Sequence, residues 1–200
     1  MTPYQTVKHY AEAEITEKRS RFIATVSPVQ SDEEARAFVD SVKKKYPDAR
    51  HNVYAYLTVD GMTRYSDDGE PKGTAGLPVL NVIMKKELKG AAVVVTRYFG
   101  GILLGAPGLL RAYTAAATAG IEAAETVTVK SYDVIEITVP FSISEKVRYE
   151  LSFFDLPEYK TEYTEKVKYI LNVPSETAEK LTAKITDVTS GKAEIKTVKP

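Results

Sequence analysis

Three acidic side chains occupy a span of four residues in a stretch otherwise rich in glycine and proline. They are Asp67, Asp68 and Glu70. Clustered carboxylates can hold a hard cation such as Mg²⁺ or act as acid and base, because such cations prefer several oxygen ligands. The alternative is structural, since Asp-Gly is a turn dipeptide and acidic side chains near a helix start oppose its dipole. The spacing of a Ca²⁺ loop is absent, so the sequence favours the structural role and predicts no metal.

The glycines of the same stretch suggest a site for an anion. Eight of the 11 glycines lie within residues 66–113, and two predicted helices follow glycine-rich turns. A helix N-terminus presents unpaired amide hydrogens that bind phosphate, and a nearby guanidinium would complete the site. The predicted anion-binding residues are Arg97, Gly100, Gly101, Gly105 and Arg111. Neither the P-loop motif, with its final Gly-Lys-Ser/Thr, nor the dinucleotide-binding motif Gly-x-Gly-x-x-Gly is present. The glycines would equally serve tight turns and close helix–sheet packing. The anion-binding interpretation and the structural interpretation therefore both stay open.

Two tyrosines are candidates for stacking on nucleic-acid bases. Tyr54 and Tyr56 alternate with aliphatic residues in a predicted strand, so they lie on one face of it. Such a face would stack on unpaired RNA bases or be buried under a neighbouring element. His51, just before the strand, is a further candidate binding residue. A catalytic triad is not favoured, because the Gly-x-Ser-x-Gly motif is absent.

The charge and cysteine content of the chain limit the classes of function. Among the 200 residues, 27 Lys+Arg balance 27 Asp+Glu, so any affinity for nucleic acid must come from a local patch. With no cysteine, the chain has no disulfide, thiolate zinc site or thiol nucleophile. No apolar run approaches the roughly 18 residues of a membrane span, and no signal-peptide pattern is visible. We therefore expect a cytoplasmic protein with no cofactor and no membrane partner.

Apolar periodicity in the first 130 residues predicts a mixture of strands and helices. The predicted strands are 11–15, 22–26, 53–59 and 93–95, and the predicted helices are 31–46, 77–88 and 107–124. Ser31 and Glu34 form a capping box at the start of the first helix. Residues 93–95 are apolar on both faces, as in a central strand. The predicted buried stripe of the last helix contains Leu110, Tyr113, Ala117 and Ile121.

The pattern beyond residue 130 is self-contained. The predicted strands are 135–139, 159–163, 167–173 and 193–198, and the predicted helices are 143–154 and one that Ser175 caps. This β-α-β-β-α-β order is the ferredoxin-like arrangement. Because it needs no strand from the first half, we predict an α+β protein with domains 1–130 and 131–200.

Four segments carry a resemblance to a known family. They are Ser20-Arg21-Phe22-Ile23-Ala24, His51-Asn52-x-x-Ala55-Tyr56, Asp67-Asp68-Gly69-Glu70-Pro71-x-Gly73-Thr74-Ala75-Gly76-x-Pro78 and Val95-Thr96-Arg97-Tyr98-Phe99-Gly100-Gly101-x-x-Leu104-Gly105. Together they resemble the signature of the YigZ/IMPACT family over residues 1 to about 130, and the remainder is similar to the C-terminal domain of bacterial members. One departure is Pro107, which stands where the family has glycine and removes one amide donor.

The resemblance implies a fold and a biological context. The N-terminal domain would be like the second domain of a ribosomal small-subunit protein, and the C-terminal domain like a ferredoxin-like domain of elongation factor G. Eukaryotic relatives regulate translation initiation by opposing activation of a stress kinase. We therefore predict a non-enzymatic, translation-associated regulator that binds RNA, the ribosome or a translation protein through the glycine-rich stretch. The alternative is a phosphate-handling or hydrolytic enzyme that uses Asp67, Asp68, Glu70 and Arg97.

Overall fold

The computed structural model describes residues 3–198 and divides them into two compact units. One unit is Tyr4–Val129, and the other contains the chain from Lys130 onward. Within residues 3–198, no helix is both long and apolar enough to cross a membrane. The protein is thus a mixed α+β chain in which each unit has hydrophobic clusters of its own.

The first unit contains seven strands and three helices. The strands are β1 (Tyr4–Val7), β2 (Ala11–Glu17), β3 (Ser20–Pro28), β4 (His51–Leu57), β5 (Thr63–Ser66), β6 (Ala91–Tyr98) and β7 (Thr126–Val129), and the helices are α1 (Asp32–Lys45), α2 (Gly76–Lys85) and α3 (Gly105–Ala123). Five strands form an antiparallel sheet in the order β2-β3-β6-β4-β5, and β1 pairs with β7 in a separate ribbon. The central position predicted for residues 93–95 is confirmed, because β6 pairs with both β3 and β4.

The sheet is covered by helices on both faces. On one face, α1 packs Ala35, Val39 and Val42 against strand residues that include Tyr56 and Val94. On the other face, α2 and α3 cover a larger apolar core. Helix α3 approaches β3 closely at Gly120, where a Cβ would lie 2.7 Å from the Cβ of Ala24. Small residues in α3 therefore permit its contact with the sheet, as the alanine-rich sequence predicts.

Of two predictions made for the helices of this unit, the cap of α1 is confirmed and the buried face of α3 is wrong at one residue. The Ser31 hydroxyl accepts a hydrogen bond from the Glu34 amide at 3.2 Å, so the predicted cap of α1 is confirmed. The stripe predicted for α3 is wrong at Leu110, which is 48% exposed, whereas Leu109 is 6% exposed and belongs to the core. Both leucines fit a helical spacing with Tyr113, and the surrounding alanines are too uniform to choose between them.

The second unit has the predicted β-α-β-β-α-β order. Its elements are β8 (Tyr132–Val139), α4 (Phe141–Leu151), β9 (Lys160–Tyr163), β10 (Val167–Pro174), α5 (Ser175–Val188) and β11 (Glu194–Val198). The antiparallel strand order is β11-β8-β10-β9, and alternate residues of β8 and β10 are buried in a core shared with both helices. The cap predicted for α5 is wrong: Pro174 holds the cap position, and the Ser175 hydroxyl donates to Asp133 at 2.8 Å. The likenesses to a ribosomal protein domain and to elongation factor G stay predictions.

Candidate functional site

A cleft of about 260 Å³ lies in the first unit where β4 begins and β6 ends. The lining residues are Arg50, His51, Gly69, Glu70, Arg97, Phe99 and Leu103. We call it the Arg97 cleft. It forms because His51 and Arg97 are paired residues on neighbouring strands, while the loops that follow β5 and β6 supply the remaining walls. The cleft therefore brings together two of the predicted binding residues, His51 and Arg97.

Arg97 is the most buried cation of the cleft. Its side chain is 7% exposed, and Nη1 donates to Oε1 of Glu70, itself 4% exposed, at 2.5 Å. The guanidinium carbon lies 5.4 Å from the ring centre of Phe22 and 5.7 Å from that of Phe99. The buried Nε of Arg97 has no hydrogen-bond partner among the described residues. The positive charge is thus compensated by a carboxylate, while one donor stays unused.

Glu70 also accepts a hydrogen bond from helix α3. The hydroxyl of Tyr113 donates to Oε1 of Glu70 at 2.8 Å, and the ring of Tyr113 meets that of Phe22 edge-on at 5.2 Å. Burial, together with the adjacent Glu70 carboxylate, raises the pKa of Tyr113 far above its usual range, so the hydroxyl stays protonated and donates. Glu70 therefore connects β6 to α3 through charge and hydrogen bonding.

Asp67 performs the task of a helix cap. Its carboxylate accepts hydrogen bonds from the amides of Gly73 at 2.8 Å, Ala75 at 3.1 Å and Gly76 at 2.8 Å. The amides of Ala75 and Gly76 lie at the start of α2 and have no intrahelical partner, so the carboxylate satisfies them and opposes the helix dipole, while the Gly73 amide belongs to the preceding turn. Asp67 does not line the Arg97 cleft.

Asp68 holds the loop against the start of β4. Its Oδ2 accepts a hydrogen bond from the Asn52 amide at 2.6 Å, and Lys43 Nζ lies 3.6 Å from Oδ1. Its carbonyl oxygen lies 2.7 Å from Nδ1 of His51. Because a carbonyl only accepts, Nδ1 of His51 donates this hydrogen bond, and Nε2 has no hydrogen-bond partner among the described residues.

The three carboxylates are therefore occupied by contacts within the protein. Across residues 3–198, no group of three or more His, Cys, Asp or Glu side chains is arranged to hold a metal ion. Only Glu70 of the three lines the Arg97 cleft. This arrangement is what the structural interpretation of the acidic cluster predicts.

The glycines after β6 shape the loop that borders the cleft. A Cβ at Gly100 would lie 2.0 Å from the carbonyl carbon of Arg19, so only glycine fits against the β2–β3 turn. Gly101 and Gly105 adopt positive φ angles of 82° and 68°. Between them the loop presents Leu103, which is 82% exposed. The glycines position an exposed apolar loop at the mouth of the cleft.

The remaining predicted binding residues lie elsewhere. Tyr54 and Tyr56 stack on each other at 6.1 Å and line a different cleft of about 300 Å³ beside α1. Tyr56 is 1% exposed and its hydroxyl donates to Asp32 at 2.6 Å, so its ring has no face open to a base, whereas Tyr54 is partly exposed. Arg111 is exposed on α3 and has no side-chain partner in the described part of the chain. Of these residues, none lines the Arg97 cleft.

Sequence reasoning did not name four lining residues of the cleft as site residues, namely Arg50, Gly69, Phe99 and Leu103. Arg50 is exposed in the turn before β4, and Phe99 and Leu103 follow β6. The available signal was the placement of large apolar side chains between glycines, in a loop where burial is not expected.

Comparison with known proteins places the chain among a group of related sequences. Residues 18–121 match the Impact N-terminal domain, and residues 137–192 match a domain of unknown function, DUF1949. The IMPACT family member YvyE of Bacillus subtilis is 37% identical over 96% of this chain and 90% of its own length. The IMPACT family member YigZ of Escherichia coli is 45% identical over 48% of this chain and 49% of its own. A crystal structure of a hypothetical protein, 28% identical, superposes with a TM-score of 0.64 and covers 98% of this chain and 97% of that one.

Proposed function

The chain belongs to the IMPACT family, and from that premise we propose that it is a cytoplasmic, translation-associated regulator that acts by binding RNA rather than by catalysis. The translation context comes from the resemblance of its motifs to that family. The observation that carries RNA as the partner is the surface around the Arg97 cleft, where exposed arginines adjoin an exposed aromatic ring.

Unpaired cations supply the first element of this surface. Arg50 and Arg19 are both exposed, and neither has a side-chain partner among residues 3–198. Arg50 lines the cleft, and the backbone of Arg19 touches the loop at Gly100. Arginines not committed to a carboxylate are available to phosphate oxygens of a nucleic-acid backbone.

Exposed apolar side chains supply the second element. Phe99 is 43% exposed, Ile102 41% and Leu103 82%. A positively charged groove combined with an aromatic ring on which bases stack is the arrangement of single-strand-binding proteins. A local patch of this kind also explains how a chain of zero net charge would bind an anionic polymer.

The hydrolytic alternative has no comparable support. Asp67 caps α2, Asp68 accepts an amide of β4, and Glu70 neutralises Arg97. Each of these three carboxylates is engaged by another group of the protein, and none is left free to activate water. We therefore do not pursue an enzymatic function.

The proposal is tested by RNA affinity across a salt series. We expect a single-stranded RNA of about 12 nucleotides to bind with an affinity that falls as salt rises from about 50 to 200 mM. Arg50→Ala should reduce the magnitude of the log–log slope by about 0.7, the value for one phosphate contact to a single strand. Arg148→Ala, which removes an exposed arginine of α4 in the second unit, is the matched control and should leave the slope unchanged.

Ribosome co-sedimentation with and without nuclease extends the test to natural RNA. Wild-type protein that shows no salt-sensitive binding to either RNA or ribosomes would overturn the proposed function. Equal slopes for wild type, Arg50→Ala and Arg148→Ala would place any RNA contact away from the cleft.

A further inference from the structure

We propose that the Arg97 cleft holds a single unpaired nucleotide of the bound RNA, with its phosphate at Arg50 and Arg97 and its base against Phe99. This inference rests on the proposed function and specifies the ligand of that site. Four features of the cleft carry it: an unused buried donor, a free imidazole nitrogen, an exposed ring and a limited volume.

The unused donor is Nε of Arg97. The Arg97 side chain lines the cleft, is 7% exposed, and has donated Nη1 to Glu70. A buried N–H without a partner is unfavourable, so an acceptor oxygen that reaches it gains more than the same contact would at an open surface. The phosphate of a nucleotide supplies such an oxygen when binding opens the cleft wall over this buried atom. Glu70 neutralises Arg97, so the exposed guanidinium of Arg50 supplies the positive charge that attracts the phosphate.

The free ring nitrogen is Nε2 of His51. With Nδ1 donating to the carbonyl oxygen of Asp68 at 2.7 Å, Nε2 is the ring nitrogen left for a ligand in the cleft. The 2′-hydroxyl of a ribose can both donate and accept a hydrogen bond, so it pairs with Nε2 whether or not that atom carries a hydrogen. A ribonucleotide therefore gains a contact that a deoxyribonucleotide lacks.

The ring and the volume determine how much of an RNA is accepted. Phe99 and Leu103 give the cleft an apolar wall, and Phe99 already lies 5.7 Å from the Arg97 guanidinium carbon. The volume of about 260 Å³ is below the usual range of roughly 300–1,000 Å³ for sites that enclose a drug-sized ligand. It suits one base and its phosphate, and longer RNA would continue over the exposed loop.

The test uses the full chain and small probes followed by NMR chemical shifts of the Gly100 and Gly101 amides. We expect uridine 5′-monophosphate to bind more tightly than inorganic phosphate, uridine or 2′-deoxyuridine 5′-monophosphate. Phe99→Ala should weaken the monophosphate by about fivefold to 100-fold, the range for loss of one base-stacking contact. Phe153→Ala removes an exposed phenylalanine of the second unit and should change nothing. His51→Ala removes the ring nitrogen that meets the 2′-hydroxyl and should abolish the preference for ribose over deoxyribose.

The outcomes separate this inference from the proposed function. If long RNA binds with salt sensitivity but the monophosphate does not bind, or binds equally to Phe99→Ala, the nucleotide site is wrong and the proposed function stands. If N-acetyl-leucine binds more tightly than the monophosphate and is lost in Phe99→Ala, the cleft recognises a peptide carboxylate instead. If the monophosphate binds as described while neither RNA nor ribosomes bind, the cleft is a nucleotide site and the proposed function is overturned.

Discussion

Removal of the Arg97 guanidinium is the substitution with the largest expected effect on stability. In Arg97→Ala, the Glu70 carboxylate, which is 4% exposed in the wild type, would lose its only ion-pair partner among the described residues and keep the hydroxyl of Tyr113 as its remaining side-chain donor. Breaking a buried ion pair by removing one partner typically costs about 3–5 kcal/mol, because the other charge is left uncompensated. We expect the free energy of unfolding of the first unit to fall by about that amount.

A double-mutant cycle distinguishes the lost charge from lost packing. Glu70→Gln keeps an acceptor for Tyr113 and removes the negative charge that Arg97 neutralises. If the uncompensated charge causes most of the loss, Arg97→Met combined with Glu70→Gln should be more stable than the sum of the single losses by about 1–3 kcal/mol. Simple additivity would show that the two side chains act by packing alone.

Native-state hydrogen exchange of the β6 amides is the appropriate assay. It reports the unfolding of Tyr4–Val129 separately from the second unit, which a global denaturation curve would mix. The control is Arg21→Ala in the same unit, whose ion pair with Glu14 is 53% and 43% exposed and should contribute far less than the buried pair. A loss of less than about 1 kcal/mol in Arg97→Ala would refute the burial of a compensated pair.

Three further predictions follow from the carboxylates and the second unit. Asp67→Ala removes the acceptor of three amides and should cost about 2 kcal/mol, whereas Asp68→Asn should cost about 1 kcal/mol or less. Mg²⁺ should not shift the melting temperature of the wild type, and a saturable shift that Asp68→Asn abolishes would contradict the structural role. The hydroxyl of Tyr56, followed by the arginines beside it, holds the pKa of Asp32 below its usual value. Because that value is about 3.9 in the unfolded chain, the stabilisation is complete above it and is lost as pH falls through the lower folded value, so Asp32→Asn should flatten the acid limb of the stability curve. The fragment 131–200 should melt cooperatively when expressed alone, and a random-coil circular dichroism spectrum would contradict that boundary.

Much of the fold was predictable because its signals are local. The cap at Ser31 and the doubly apolar strand 93–95 depend on neighbouring residues, and the structure confirms both. The β1–β7 ribbon was not predicted, because its short strands are separated by more than 100 residues and have no turn to mark their pairing. The exposure of Leu110 in place of Leu109 shows a similar limit, since uniform alanines give a helix no preferred face.

Some residues of the candidate site were predictable from the sequence, but their arrangement in the cleft was not. His51 and Arg97 were named from the sequence, and the register of β4 with β6 places them side by side. The sequence did not indicate that Glu70 would neutralise Arg97, because this pair spans 27 residues and depends on the path of a loop. The position of Phe99 in the cleft wall likewise follows from tertiary structure that periodicity does not encode.

The central claim is that RNA binds at the loop after β6 beside the Arg97 cleft. Ultraviolet crosslinking of bound RNA, followed by tryptic digestion and mass spectrometry, tests it directly, because cleavage after Arg97 and Arg111 releases residues 98–111 as one peptide. We predict that this peptide carries the crosslinked nucleotide, that Phe99→Ala removes the crosslink, and that Phe153→Ala retains it. Crosslinks confined to residues 131–200, or a crosslink at 98–111 that survives Phe99→Ala unchanged, would contradict the account.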